Sequence, residues 1–226
     1  MKTFILFVLV ACVYQPMSAN AGLTGKSLIF PAKTDKSYVQ LQPGMFPQLS
    51  AFTVCLRAAS EESRNYVLFS YATSKEHNEL LIWQNSDGKL SLYLGNKIVT
   101  FSLPKINALL RHICVTWEAR EGVTTFWVNG DRTVRKVGKK DTTVRGGGSV
   151  ILGQEQDSVG GRFDSEQSFV GEITDVHVWD RVLTAGAIRA VSQGCYSAGG
   201  NIIDWATIPF IAGGNVSIKD NNDCAV

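Results

Sequence analysis

The chain has 226 residues, 45% of them apolar and 19% charged, with 22 lysines and arginines against 20 aspartates and glutamates. A formal net charge of +2 excludes a protein that binds nucleic acid through overall basicity, and the apolar share excludes a disordered chain. A length of about 200 residues is enough to bury one core without division.

Lys2, the apolar run from Phe4 to Val13 and the small-residue stretch Ala19-Asn20-Ala21 have the order of a secretory leader, expected over residues 1–21. A secreted, extracellular protein is the expectation. The run is too short to cross a bilayer, and no other window approaches the roughly 20 apolar residues a spanning helix needs, so no membrane anchor is expected. Losing the leader removes one lysine and leaves 21 basic residues against 20 acidic ones.

Residues 22–226 contain no linker, repeat or low-complexity stretch and read as one domain. Apolar residues alternate with polar ones at Phe52, Val54 and Leu56, at Leu90, Leu92 and Leu94, at Val99, Phe101 and Leu103, at Phe126 and Val128, and at Val176 and Val178. Period two over many short runs predicts antiparallel strands with one buried face. Asp87-Gly88, Gly95-Asn96, Asn129-Gly130 and Gly146-Gly147-Gly148 punctuate them, and Asn129-Gly130 predicts a two-residue hairpin. The fold class is therefore all-β, a two-sheet sandwich.

The basic stretch from Arg132 to Lys140 reads as a solvated hairpin edge, since lysine there blocks unwanted pairing. One helix is predicted, with Thr184 as N-cap, Ala185 to Gln193 carrying Ile188 and Val191 on one side, and Gly194 at its end. In the tail, Asn215-Val216-Ser217 is an N-glycosylation acceptor.

Of five cysteines, Cys12 falls in the leader, and four in an oxidising compartment predict two disulfides. Three connectivities are open; Cys55 and Cys114 lie in strand-like runs and Cys195 and Cys224 in the tail, which favours 55–114 and 195–224. The spacings do not suit structural zinc.

The segment Gly153–Gln167, GQEQDSVGGRFDSEQ, concentrates carboxylates, side-chain amides and turn formers. These are the oxygen donors of Ca²⁺, which takes about 6–8 of them. Gly160 and Gly161 would let the backbone fold back, bringing Asp164 and Gln167 to face Glu155 and Asp157. A solvated acidic turn is the simpler reading of the same composition.

His112-Ile113-Cys114-Val115-Thr116-Trp117 forms an H-x-C-x-T-W run, and it is followed in order by Phe126-Trp127-Val128-Asn129-Gly130, Ile151 to Asp157, Phe169 to Ile173 and Val178-Trp179-Asp180. In these motifs the chain resembles the short pentraxins over essentially all of residues 22–226. The resemblance implies a flattened jelly roll, a disulfide matching Cys55–Cys114, and one helix on the face opposite a pair of calcium ions. It implies that Glu155 and Asp157 share the two ions, that Gln156 offers its backbone carbonyl, that Asp164 and Gln167 complete the second ion, and that Asn78 serves the first. Carboxylates between two dications offset their mutual repulsion.

Two positions depart from the family pattern. His77 stands where the family usually has aspartate, and imidazole is a poor calcium ligand, so weaker occupancy of the first ion is expected, with Glu76 or Glu79 as substitutes. Trp83 fills the pocket wall beside the calcium and Tyr93 adds to it, but Lys97 and Ile98 occupy the region of the acid that would meet a quaternary ammonium.

The resemblance implies a calcium-dependent recognition protein of innate immunity and the acute phase. Its ligands would bear phosphate or carboxylate: phosphocholine, phosphoethanolamine or acidic sugars. A cyclic homo-oligomer, usually of five, and complement components or phagocyte receptors are the further implied partners. An enzyme is not expected. A jelly-roll glycosidase would need a further carboxylate where Val159 stands and a strand where the glycine turn stands, and no G-x-S-x-G run marks a serine hydrolase. His112 and His177 read as structural histidines. A laminin-G-like adhesion module is the remaining alternative.

Overall fold

The computed structural model describes residues 20–194 and 199–221. The period-two runs form strands β1 (Asn20–Ala21), β2 (Lys26–Phe30), β3 (Tyr38–Leu41), β4 (Ala51–Ala59), β5 (Tyr66–Thr73) and β6 (Glu76–Gln84). Next come β7 (Leu90–Leu94), β8 (Lys97–Phe101), β9 (Arg111–Glu118), β10 (Val123–Val128), β11 (Asp131–Arg132) and β12 (Lys136–Val137). The last are β13 (Ser149–Leu152), β14 (Gly171–Trp179), β15 (Pro209–Gly213) and β16 (Ser217–Asp220), with helix α1 (Ala185–Gln193) between β14 and β15.

Two antiparallel sheets result. One runs β1-β15-β3-β13-β5-β6-β7-β8; the other runs β11-β10-β9-β4-β14-β2-β16, with β12 also on β10. Between them lies the main core, where Phe101 of the first sheet meets Phe126 of the second edge to face at 5.1 Å and Phe52 packs on Trp117 at 5.4 Å. The Asn129-Gly130 turn has the two positive φ values, 51° and 86°, that a two-residue hairpin of matching twist requires. Arg132, Arg135 and Lys136 are exposed at the β11–β12 edge.

Helix α1 has the predicted bounds, and Thr184 Oγ1 accepts from Ala187 N. Ile188 and Val191 turn down onto the outer face of the second sheet, where they pack with Cys55, Cys114, Trp127 and Trp179. Arg57 fixes the helix end, donating through Nε to Asp175 at 2.8 Å and through Nη2 to the Ser192 carbonyl at 3.0 Å. Cys55 and Cys114, directly opposed on β4 and β9, form a disulfide.

The expectation of one buried face per strand needs correction. All eight residues of β5 are buried, as are Phe52 to Leu56 in β4. Outer faces are covered too, the second sheet by α1 and the first by the loop after β13, so alternation marks only which side faces the main core.

The leader predicted over residues 1–21 lies outside the described residues except for Asn20–Ala21, which pair with β15. Cys195 and Cys224 also lie outside them. Among the described residues no helix is long and apolar enough to cross a membrane.

Candidate metal centre

The acidic segment leaves β13 at Gly153 and returns at Phe169, whose N–H donates to the Gly153 carbonyl at 3.0 Å. Gly153 has φ +87°, and a Cβ there would stand 2.1 Å from Phe30 Cε1, so glycine alone permits this exit. Beneath the closure, Phe169 meets the rings of Phe30 and Tyr66 edge to face at 5.6 and 5.5 Å. The base of the loop is closely packed for that reason.

Two glutamines hold the loop down. Gln154 Nε2 donates to the carbonyls of Thr34 and Ser37 at 2.6 and 2.8 Å. Gln156 Nε2 donates to Ser70 and to the Ser149 carbonyl, while its Oε1 accepts from Gly160 N at 2.8 Å. With both side-chain atoms engaged, Gln156 has its backbone carbonyl left to offer. Ser70 points away from the main core, on the opposite pleat from Phe69 and Tyr71, so the loop lies on the outer face of the first sheet. That face is opposite to the one carrying α1. Gly160 has φ +70°, and Ser158 and Gly161 exchange backbone hydrogen bonds around it, which is the predicted fold-back.

This geometry puts Glu155 within electrostatic range of Asp157 and Asp164. Glu155 is 3% exposed, and its Oε2 is buried with no donor among the described residues. Burial, then the charges of Asp157 and Asp164, push its pKa up to about 7. Asp157 and Asp164 are exposed; Asp164 Oδ1 accepts from Glu166 N at 2.9 Å, capping the short turn Ser165–Gln167. Gln167 Oε1 and Asn78 Oδ1 are also buried acceptors without a donor among the described residues. Native proteins rarely leave such groups unmatched. The unmatched Glu155 oxygen under the charges of Asp157 and Asp164 describes a place where positive charge is wanted, and the amide oxygens of Gln167 and Asn78 are hard donors of the same kind.

Asn78 stands at the start of β6, separated from β13 by β5. His77 beside it is 51% exposed, with Nδ1 4.0 Å from Glu76 Oε1. Of the proposed substitutes, Glu79 must be withdrawn. Both of its oxygens accept from Arg145, from N and Nη1 at 2.8 Å, and Oε2 also accepts from Thr73, so this buried carboxylate is already neutralised. Glu76 is freer: its Oε1 accepts from Asn78 N at 3.3 Å, and its carboxylate lies against Gly95 in the β7–β8 turn.

The candidate pocket wall divides. Tyr93 is paired with Leu81 and Ile98 on the outer face, and burial, then the Glu155 charge, raises its phenol pKa. Tyr93 is therefore beside the loop. Trp83 shares that face but is 8% exposed, so it supports the wall from beneath. Sequence reasoning missed the Gln154 strut, which has no sequence signal; Ile98, already placed at the pocket, is an exposed apolar group beside Tyr93.

Another group of potential ligands, Cys55, His112 and Cys114, is tight and buried, but its thiols are consumed by the disulfide. Burial, with the nearby Arg57 charge, holds His112 down at about 3, and burial lowers His177 as well. His177 Nδ1 accepts from Gly200 N and Trp205 N at 3.3 and 3.4 Å. Both are neutral parts of the packing under α1.

The sequence pattern of the Pentaxin family matches residues 26–220. The chain is 40% identical to a C-reactive protein of Danio rerio over 223 residues, covering 96% of this chain and 99% of that one. It is 43% identical to the serum amyloid P-component of Rattus norvegicus over 202 residues, covering 89% and 88%. Its fold matches a crystal structure of a native heptameric serum-amyloid-P-like pentraxin from Limulus polyphemus with a TM-score of 0.81 at 26% identity, covering 90% and 99%. With nearly the whole chain accounted for in this way, the protein belongs to the pentaxin family.

Proposed function

We propose that the protein is a secreted, calcium-dependent recognition protein of innate immunity, a binding protein and not an enzyme. The observation that carries this reading is the unmatched Glu155 Oε2, buried beside Asp157 and Asp164. Glu155 and Asp157 would share two calcium ions, with Asp164, Gln167 and the Gln156 backbone carbonyl on the second and Asn78 on the first. The bound ions supply open positions that take phosphate or carboxylate oxygens of a ligand. Asn78, Glu155 and Gln167 have the unmatched oxygens that such ions would satisfy. His77 weakens the first ion.

Tyr93 and Ile98 would contact the organic part of the ligand, and the basic Lys97 beside them disfavours quaternary ammonium selectivity. Phosphoethanolamine and acidic sugars are then as well accommodated as phosphocholine. Affinity for surfaces comes from a cyclic homo-oligomer, which repeats the weak site on one side. The Limulus relative, a heptamer by its description, supports a ring. The opposite, helical face is left for complement components or phagocyte receptors.

The leader over residues 1–21, the glycan at Asn215 and the Cys195–Cys224 bridge belong to the same extracellular reading. Asn215 is exposed in the β15–β16 turn. For the bridge, Gly194 and Gly25 line one cavity, and Gly25 accepts a hydrogen bond from Asn221 N, so the two flanks converge. Elution from immobilised phosphocholine, phosphoethanolamine and acidic sugars tests the function. Binding held in calcium and released by chelator is expected, with phosphocholine holding no wide advantage. Retention unchanged by chelator would overturn the reading.

A further inference from the structure

On the face opposite the Glu155 loop, we propose a second ligand site at the N-terminal end of α1, which takes a small carboxylate with an apolar body and needs no calcium. A cavity of about 280 Å³ lies there, between the helix start and the β9–β10–β11 surface. Val123, Val182 and Leu183 give it apolar walls, and Arg132 and Arg135 stand at its side. Neither guanidinium has a hydrogen bond or ion pair among the described residues.

Trp127 supplies the independent sign of a ligand. It lines the cavity, is 5% exposed, and its buried Nε1–H has no acceptor among the described residues. A buried indole N–H nearly always finds one, because leaving it bare forfeits the hydrogen bond it had in water. The helix end adds donors of the same sense. Thr184 Oγ1 caps Ala187 N, while the Ala185 and Gly186 amides lie before the first intrahelical bond, and Gly186 has open space around it.

Glu118 also lines the cavity, but its Oε1 accepts from Glu121 N and Val123 N and so is turned to its own hairpin. Two free cations, an unmatched N–H and a positive helix end outweigh it. An inorganic anion would leave most of the cavity empty, whereas a carboxylate on an apolar group fills walls and donors together.

The test uses the full oligomer in chelator, which silences the calcium face, with benzoate and benzamide titrated at constant ionic strength. Benzoate should bind saturably in about the millimolar range, and benzamide about tenfold more weakly, since only the anion gains charge-assisted bonds. The R132Q/R135Q double variant, altered only at exposed side chains, should lose a further tenfold or so while keeping its calcium-dependent elution. Trp127→Phe should cost about fivefold, and in the unaltered protein the Trp127 indole proton should shift downfield as benzoate binds. No saturation, equal binding of benzamide, or full binding by the double variant would overturn the proposal.

Discussion

The two outer faces of the sandwich are unlike in what they leave unmatched. On the loop face, among the described residues, four orphans are acceptors, Asn78 Oδ1, Gln154 Oε1, Glu155 Oε2 and Gln167 Oε1, and one is a donor, Nη2 of Arg64, whose Nη1 donates to the Glu166 carbonyl. On the helix face the orphan is a donor, Trp127 Nε1, while the histidines and the disulfide pack in a neutral, satisfied layer. A buried group of one sign without its partner costs free energy in either case. Crowded carboxylates distinguish the loop face, where Asp157 and Asp164 act on Glu155, and this contrast underlies the two proposals, a cation on one side and an anion on the other.

The largest effect that would break this contrast is expected at the base of the loop. Gly153→Ala forces a Cβ onto Phe30 at a positive φ and should cost about 3 kcal/mol in a denaturant titration, with calcium binding lost alongside. An unchanged midpoint would mean the loop is not braced by that closure. Glu155→Gln should lower calcium affinity about 100-fold, roughly 2.7 kcal/mol by calorimetry. The same variant should make the calcium-free protein more stable near pH 8 by about 1 kcal/mol, after allowance for solvent screening of Asp157 and Asp164.

The sign of that second effect follows from proton linkage. Burial raises the Glu155 pKa from 4.5 to about 7, so the native state holds this proton more tightly than the unfolded chain. Its contribution to calcium-free stability is complete below about pH 4.5 and is lost as pH rises through 7. Saturating calcium, if bound there as proposed, should displace the proton and reverse the slope. Thermal scans of parent and Gln variant at about pH 5 and pH 8, with calcium and with chelator, should show the difference change sign; parallel curves would refute the assignment.

Smaller changes sharpen the separation of the faces. Thr184→Ala removes the α1 cap and should cost about 1 kcal/mol with calcium affinity unchanged. A shift in calcium affinity would reveal coupling through the core. His77→Asp, at an exposed position, should strengthen the first ion by about threefold in a calcium titration, and no gain would place that site's weakness elsewhere.

Much of this was readable along the chain. The bounds and cap of α1, the Asn129-Gly130 hairpin and the acidic loop depend on residues within a few positions of one another, so pattern suffices. The pairing of Cys55 with Cys114 followed from both lying in strands. Glu79 was not readable, because its partner Arg145 is 66 residues away and nothing local distinguishes a carboxylate that is neutralised from one that is free. Trp83 and Tyr93 look alike in sequence, yet only the neighbouring layer makes one a buried support and the other a half-buried wall.

By itself, the sequence determined the all-β sandwich, the single helix, the family and the oxygen-rich character of Gly153–Gln167, since backbone periodicity, turn chemistry and side-chain type are local properties. Tertiary structure alone decided which oxygens stay unmatched and that the Gln156 side chain is spent as a strut. Those outcomes depend on which distant groups share a buried space, and burial is what turns an ordinary amide, carboxylate or indole into a site that wants a partner.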